Sequence, residues 1–364
     1  MGGDEISHVR DVFDSNWISP AGPHLELFET AISKISKGYY TAALNSGTAA
    51  LHLALLLIGV KNGDEVLCSS FTFSASANPI VYLGAKPIFI DSESETWNMC
   101  PDLLEKAILD RISLRKKPKA IMLVHLYGMP AKIDKIMQIA NNYDIPIIED
   151  AAEALGSNYK QQPLGTFGKF GIYSFNGNKI ITTSAGGVLV SKNKKLIEKA
   201  KFLATQSRNQ KPFYEHSEIG YNYRMSNVCS AIGLGQLDVL SKRVLKKRDI
   251  YNHYKNSLSS IKDISFLEER KDSFSNFWLT TILLSKSSTI DREQLRLHLL
   301  KDNIESRPLW NPMHLQPVFK KCKSFVNGVS EDLFLRGLCL PSGTNMRSED
   351  IERVVSKIKE LYEA

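Results

Sequence analysis

The chain has 364 residues, of which 43% are apolar and 23% charged, and its formal net charge is +7. This composition is typical of a globular protein, and the length predicts a large domain with a smaller one attached. Five cysteines without a C-x-x-C pair argue against a disulfide scaffold, and eight histidines without an H-x-x-x-H pair leave no obvious ligand set for a catalytic metal. No basic run is interleaved with aromatic residues, which disfavours nucleic-acid binding.

Neither a membrane span nor an export signal is expected. The longest apolar run, residues 51–60, is far shorter than the roughly 20 residues that a spanning helix requires. Residues 1–5 show no basic and apolar leader. The predicted location is therefore the cytoplasm, without membrane association.

The N-terminal region contains two segments with the composition of functional loops. Residues 4–14 predict a short helix, and the irregular segment 16–23 that follows carries Trp17, which could instead cap the edge of a core. A short strand at 39–44 then leads into 45–51, where small hydroxyl residues open a long apolar helix. Such a helix start suits a phosphate group, although a plain Ser or Thr N-cap explains it equally well.

Apolar strands alternate with helices through the next hundred residues. The strands are predicted at 64–70, 87–91, 120–126 and 146–150, which indicates a mainly parallel sheet covered on both faces. Asp150 ends the last of these strands, at the edge where such sheets bind ligands. It could cap a following helix, or it could face a pyridine nitrogen and keep that nitrogen protonated.

Lys179 lies in an unusual setting for a solvated charge. It sits within the segment 174–183, between turn-forming residues and a pair of β-branched ones. We interpret it as a Schiff-base nucleophile, and the alternative is an ordinary surface lysine. The functional interpretation gains support because 46–49, Phe73 and Asp150 could bind the phosphate, ring face and ring nitrogen of a single cofactor. Pyridoxal 5′-phosphate (PLP) carries those groups together with an aldehyde for the lysine.

The C-terminal region predicts a second domain. A long helix in two apolar-faced parts runs from 227 to 254, and we place the domain boundary within it, giving domains of 1–239 and 240–364. Strands are predicted at 277–284 and 305–310, and helices at 292–301 and 348–362.

Several of these motifs resemble those of one enzyme family, the DegT/DnrJ/EryC1/StrS nucleotide-sugar aminotransferases. They are Asn-Ser-Gly-Thr-Ala-Ala-Leu at 45–51, Ser-Phe-Thr-Phe at 70–73, Glu-Asp-Ala-Ala-Glu-Ala-Leu-Gly-Ser at 149–157, Ser-Phe-Asn-Gly-Asn-Lys-Ile-Ile-Thr-Thr at 174–183 and Gly-Tyr-Asn-Tyr-Arg-Met-Ser-Asn at 220–227. The resemblance implies a PLP-dependent transferase of fold type I, an α/β protein. Its large domain would hold a mainly parallel seven-stranded sheet beside a smaller C-terminal α+β domain. It also implies a homodimer with active sites at the subunit interface.

The resemblance also assigns roles to individual residues. Lys179 corresponds to the Schiff-base lysine and Asp150 to the partner of the pyridine nitrogen. The remaining cofactor-binding residues that it implies are Gly47, Thr48, Ala49, Phe73, Glu153, Ser174, Asn176 and, from the neighbouring subunit, Asn222. The sugar-nucleotide side is assigned to Trp17, Arg224 and His314.

Within the family, two segments favour one class of substrate. Residues 307–316 and 340–344 look most like those of enzymes that aminate C4 of a UDP-4-keto-6-deoxy-N-acetylhexosamine, as in the UDP-N-acetylbacillosamine pathway. The expected amino donor is L-glutamate, and the product would serve surface glycan or glycoprotein synthesis. The alternatives are an enzyme like GDP-perosamine synthase and, more distantly, a PLP-dependent amino-acid lyase. A DNA-contacting regulator and a non-catalytic nucleotide-binding module are disfavoured, because no length remains for a helix-turn-helix domain and no phosphate-loop motif occurs.

Overall fold

The computed structural model describes residues 1–363. Its α-helices are α1 (Glu5–Asp14), α2 (Pro23–Ile35), α3 (Gly47–Ile58), α4 (Asn78–Tyr82), α5 (Pro101–Ser113), α6 (Ile133–Asn142), α7 (Lys194–Ala204), α8 (Asn227–Asp238), α9 (Leu240–Ser257), α10 (Arg292–Lys301), α11 (Val329–Arg336) and α12 (Ser348–Glu363). Short 3₁₀ turns occur at Ser74–Ser76, Leu126–Gly128, Met313–Leu315 and Pro317–Phe319.

The β-strands are mostly short. They are β1 (Tyr40–Leu44), β2 (Glu65–Ser69), β3 (Lys86–Ile90), β4 (Ala120–Val124), β5 (Ile147–Asp150), β6 (Asn158–Tyr159), β7 (Gln162–Pro163), β8 (Phe170–Ser174), β9 (Gly187–Ser191), β10 (Ile264–Phe266), β11 (Ser273–Phe274), β12 (Thr280–Leu284), β13 (Arg307–Pro308), β14 (Ser324–Phe325) and β15 (Gly337–Leu340).

The main sheet has the order β1-β9-β8-β5-β4-β2-β3-β14. Neighbouring strands from β8 to β14 pair in parallel, whereas β9 runs antiparallel to both β1 and β8. The predicted mainly parallel α/β sheet is therefore confirmed, with seven strands between residues 40 and 191. The expected count of seven must be corrected, because β14 adds an eighth strand from the C-terminal region. Two residues are too few to show a periodicity in the sequence.

Helices cover both faces of this sheet. On one face α3, which is apolar around most of its circumference, packs against strand residues such as Leu44, Phe170 and Leu189. On the other face α5 and α6 contribute Leu104 and Ile136 to a separate apolar layer. Burial from both sides explains why these strands are continuously apolar rather than alternating.

A second sheet lies in the C-terminal region. It is antiparallel, with the order β10-β12-β15-β13, and α9, α10 and α12 pack against it around Tyr254, Ile282 and Leu299. The predicted strand 277–284 begins only at Thr280, because Phe277 has a positive φ of 43° that interrupts the extended backbone. The long helix breaks between Asp238 and Leu240. The division into 1–239 and 240–364 stays a prediction.

None of the helices within residues 1–363 combines the length and the apolar character that crossing a membrane would require.

A buried carboxylate fastens the end of β5 to the rest of the sheet. Glu149 is fully buried and accepts hydrogen bonds from the backbone N–H groups of Gly165 (2.9 Å), Phe167 (2.6 Å) and Gly168 (2.6 Å). His125 Nε2 lies 3.0 Å from its Oε2. The loop before β8 is thereby held against the strand that ends in Asp150.

We expect Glu149→Gln to lower the free energy of unfolding by about 3 kcal/mol or more, because one acceptor oxygen would become an NH2 group that cannot accept from the buried N–H donors. Urea unfolding followed by circular dichroism measures the loss. The matched control is Glu198→Gln on the exposed side of α7, which should stay within about 0.5 kcal/mol of the wild type. Equal stability of the two variants would contradict the role assigned to Glu149.

Candidate active site

A cavity of about 300 Å³ opens at the carboxyl ends of β4, β5 and β8. Parallel strands of α/β sheets present their binding sites at this edge. Eight of the residues that the sequence assigned to a cofactor line it, and they are Gly47, Thr48, Phe73, Asp150, Glu153, Ser174, Asn176 and Lys179. Segments far apart in the chain thus meet around one space, although their individual roles stay predictions.

The start of α3 forms one wall of the cavity. Ser46 caps the helix, and its Oγ accepts a hydrogen bond of 3.0 Å from the N–H of Ala49. The cap explanation is therefore correct, yet it leaves the N–H groups of Gly47 and Thr48, which have no partner inside the helix, at the cavity. Ala49 itself is buried and its N–H is already used. The helix start can therefore be capped by Ser46 and still bind an anion through its remaining N–H groups.

Two glycines let the sheet approach this helix start closely. A Cβ atom on Gly187 would lie 2.4 Å from the backbone nitrogen of Gly47, and a Cβ on Gly47 would lie 3.2 Å from Cβ of Ser174. Any side chain at 187 would push β9 away from the helix. The Ser174 side chain consequently stands next to the free N–H groups of α3.

Asp150 is buried at the end of β5 and held by two hydrogen bonds. Its Oδ2 accepts from Ser76 Oγ at 2.6 Å, and its Oδ1 accepts from the N–H of Ala152 at 3.2 Å. Because the Ser76 hydroxyl has only one proton, the hydroxyl of Thr72, 2.8 Å away, donates to Ser76 in turn. The alternative that Asp150 caps a helix is wrong, since residues 151–157 contain no helix.

Lys179 lies on the loop between β8 and β9, and its side chain is only 13% exposed. Its Nζ is 3.7 Å from Oε1 of Glu153 and 4.3 Å from the centre of the Trp278 ring. The alternative of an ordinary surface lysine is therefore wrong. A carboxylate and an indole face both lie within interaction distance of this amine.

Glu153 is buried between the lysine and a neighbouring turn. Its Oε2 accepts a hydrogen bond of 2.7 Å from the N–H of Tyr127. Burial raises the pKa of Glu153, whereas the nearby charge of Lys179 acts in the opposite direction. The carboxyl group therefore lies close enough to the lysine amine to compensate its charge when that amine gains or loses a proton.

Three of the remaining predicted residues lie away from the cavity in this chain. Asn222 is exposed, and its carbonyl accepts a hydrogen bond from Asn45. Arg224 donates to Glu29 at 2.5 Å and to the carbonyl of Ala43 at 2.9 Å, so its guanidinium group already has partners. Trp17 is 50% exposed on the loop before α2.

His314 is also engaged within the chain. Its Nδ1 lies 2.6 Å from Oγ of Ser70, and its Nε2 lies 3.1 Å from Oε1 of Glu331. The ring therefore connects the end of β2 with α11 rather than lining the cavity. The assignment of Trp17, Arg224 and His314 to the sugar-nucleotide side stays a prediction.

The sequence did not reveal several residues that complete the site. Ser76 and Trp278 line the cavity, and so do Asn178 and Trp310. Trp278 and Trp310 also line an adjoining cavity of about 1100 Å³ that extends towards α12. Ser76 stands four residues after Thr72 within a run of hydroxyl residues, which is a usable signal. Trp278 lies about 100 residues from Lys179 in the chain, and no motif in the sequence around it indicates a role in the site.

Comparisons with known proteins agree with this geometry. Residues 1–359 match the DegT/DnrJ/EryC1/StrS aminotransferase family. The chain is 48% identical to EpsN of Bacillus subtilis (strain 168), described as a pyridoxal phosphate-dependent aminotransferase, over 100% of this chain and 94% of that protein. It is 39% identical to GDP-perosamine synthase of Escherichia coli O157:H7, over 99% of this chain and 96% of that one.

A solved structure shows the same fold. The PLP form of Spr1654 from Streptococcus pneumoniae, described as a sugar aminotransferase, superimposes with a TM-score of 0.92 and 27% identity, over 100% of this chain and 97% of that one. These relatives do not single out the UDP-N-acetylbacillosamine pathway, so that finer assignment stays a prediction. The chain belongs to the DegT/DnrJ/EryC1/StrS aminotransferase family, and it is a PLP-dependent aminotransferase.

Proposed function

We propose that the chain transfers an amino group from L-glutamate to the C4 ketone of a nucleotide-linked 4-keto-6-deoxyhexose. The preferred substrate is a UDP-linked 4-keto-6-deoxy-N-acetylhexosamine, as the segments 307–316 and 340–344 suggest. One observation carries the reaction type: the amine of Lys179, the carboxylate of Asp150 and the free end of α3 face a single cavity.

The residues around this cavity fit PLP. The N–H groups of Gly47 and Thr48, with the Ser174 hydroxyl, are suitable partners for a phosphate. Asp150 offers a carboxylate for the ring nitrogen, and Lys179 an amine for the aldehyde. The small size of Gly47 and Gly187 lets β9 and Ser174 pack closely against the helix start that would hold the phosphate.

When bound, PLP supplies an aldehyde that takes up and hands on the amino group, and a protonated ring that accepts electrons. The chain's own residues do the rest. The hydrogen bonds from Ser76 and Ala152 hold the Asp150 carboxyl group in place, where it would face the ring nitrogen and help to keep a proton on it. Lys179 accepts and returns a proton at Nζ, with Glu153 balancing the charge.

Aromatic side chains exclude water from the reacting groups. Phe73 is 53% exposed and its ring lies 5.5 Å from that of Trp310, at the opening shared by the two cavities. Trp278 covers the side of the Lys179 amine. An apolar surround of this kind strengthens the interaction of Lys179 with Glu153.

The adjoining cavity supports a large acceptor. Its volume of about 1100 Å³ exceeds what a free amino acid fills, and polar groups such as Asn303, Arg307 and Asn311 line it. This room favours a nucleotide sugar over the small substrate of an amino-acid lyase.

A GDP-linked 4-keto-6-deoxymannose is the second candidate acceptor. It is supported by the 39% identity to the Escherichia coli GDP-perosamine synthase across nearly the whole chain. Both candidates require amination at C4. They differ in the sugar and in the nucleotide base.

We also propose a homodimer with shared active sites. Asn222 is exposed and does not line the cavity of its own chain, which suits a contact with the cofactor phosphate in the neighbouring subunit. A cytoplasmic location remains part of the proposal, because nucleotide sugars and L-glutamate would both have to reach the site.

Lys179→Ala should remove the visible absorbance of the purified protein above 400 nm, since no amine would remain to bond PLP in the cavity. The control is Lys195→Ala at the exposed start of α7, which should keep the absorbance. Absorbance scans after incubation with PLP and gel filtration give the result. If the band persists in Lys179→Ala, another residue holds the cofactor.

The acceptor is tested by offering each 4-keto sugar nucleotide with L-glutamate and measuring the amino sugar and 2-oxoglutarate by mass spectrometry. We expect the UDP-linked sugar to be aminated with a kcat/KM about 100-fold above that of the GDP-linked one. The reverse ratio would establish the second candidate. Release of an α-keto acid and ammonia from a single amino acid over many turnovers, without an amino sugar in either reaction, would contradict both.

A further inference from the structure

Lys247 is a buried cation outside both cavities. It lies on α9 with 8% of its surface exposed, and its Nζ donates hydrogen bonds to two backbone carbonyls, those of Trp278 (2.8 Å) and Ser342 (2.5 Å). Among the ion pairs within residues 1–363, none involves this amine. The charged group that acts on it is Arg243, one turn earlier on the same helix.

This arrangement is costly for the folded chain. Burial lowers the pKa of Lys247 to about 8, and the positive charge of Arg243 acts in the same direction. Segments 278–280 and 341–344, which pack against the amine, bring no carboxylate. A methionine at this position would fill a similar volume without a charge. The lysine amine differs from it by donating hydrogen bonds to two carbonyl groups at once.

The two carbonyls belong to segments that form the walls of the cavities. Trp278 precedes β12, while Ser342 follows β15 and its Oγ accepts a hydrogen bond of 2.9 Å from the N–H of Thr280. The Trp278 indole Nε1 donates to the carbonyl of Asn178 at 2.8 Å. A continuous set of contacts therefore runs from Lys247 through Trp278 to the loop that carries Lys179.

We propose that Lys247 is a positioning residue that holds the indole of Trp278 against the amine of Lys179. The indole face lies 4.3 Å from Nζ, a distance at which a cation and an aromatic ring face attract each other. Lys247 holds the backbone of Trp278 through the hydrogen bond from its Nζ to the Trp278 carbonyl. It thus fixes the position of the indole beside Lys179 without touching the substrate.

This inference rests on the assignment of Lys179 as the residue that bonds PLP. The visible absorbance of bound PLP changes with the protonation of the lysine nitrogen, so the pH midpoint of that change reports the effect directly. A purely structural role would lower the thermal stability of a variant and leave this midpoint in place.

The experiment compares the absorbance midpoint of the wild type with those of Lys247→Met, Trp278→Leu and the double variant. We expect each single variant to lower the midpoint by about half a pH unit, the size of a lost cation–π contact, and the double variant to show no larger shift. The matched control is Lys242→Met, an exposed position on the same helix, which should leave the midpoint unchanged.

Two results would overturn the proposal: an unchanged midpoint in Lys247→Met, or shifts that add fully in the double variant. Should Lys247→Met not fold, Lys247→Gln, which keeps one donor group, is judged by the same midpoint. Persistence of the visible band in Lys179→Ala is a different result, because it would refute the assignment of Lys179 instead.

Discussion

Strand β5 ends in two buried acids, and much of the site depends on their facing opposite sides of the sheet. Successive side chains of a strand point to opposite faces of the sheet, so Glu149 and Asp150 contact different parts of the structure. Glu149 binds the backbone of the loop before β8, which places β8 and Ser174. Asp150 is left to face the cavity, held by Ser76. Of these two adjacent residues, Glu149 therefore stabilises the edge of the sheet and Asp150 contributes to the chemistry of the cavity.

Residues from both sheets meet at the lysine. The loop between β8 and β9 brings Lys179 from the main sheet, whereas Trp278 arrives from the start of the antiparallel sheet. Trp278 also lines both the small cavity and the large one. Movement of the C-terminal sheet relative to the main sheet would consequently change the surroundings of the lysine amine and the shape of the acceptor space together.

The parts of the site that could be predicted are those encoded by local sequence. Apolar strands that alternate with helices predict the parallel sheet, and Asp150 and Lys179 stand at recognisable strand ends and loops. Trp278 and Lys247 could not be found this way, because their importance comes from contacts across about 100 residues of chain. The assignment of Arg224 rests on a family motif and stays a prediction, and in the structure its guanidinium group contacts Glu29 and Ala43 of its own chain.

The central claim is that Lys179, Asp150 and the start of α3 bind one cofactor. A crystal structure of the protein grown with PLP tests it most directly. We expect continuous density from Nζ of Lys179 to the cofactor, a ring nitrogen within about 3 Å of the Asp150 carboxylate, and the phosphate at Gly47 and Thr48. A cofactor bonded to another lysine, or a phosphate located away from α3, would contradict it.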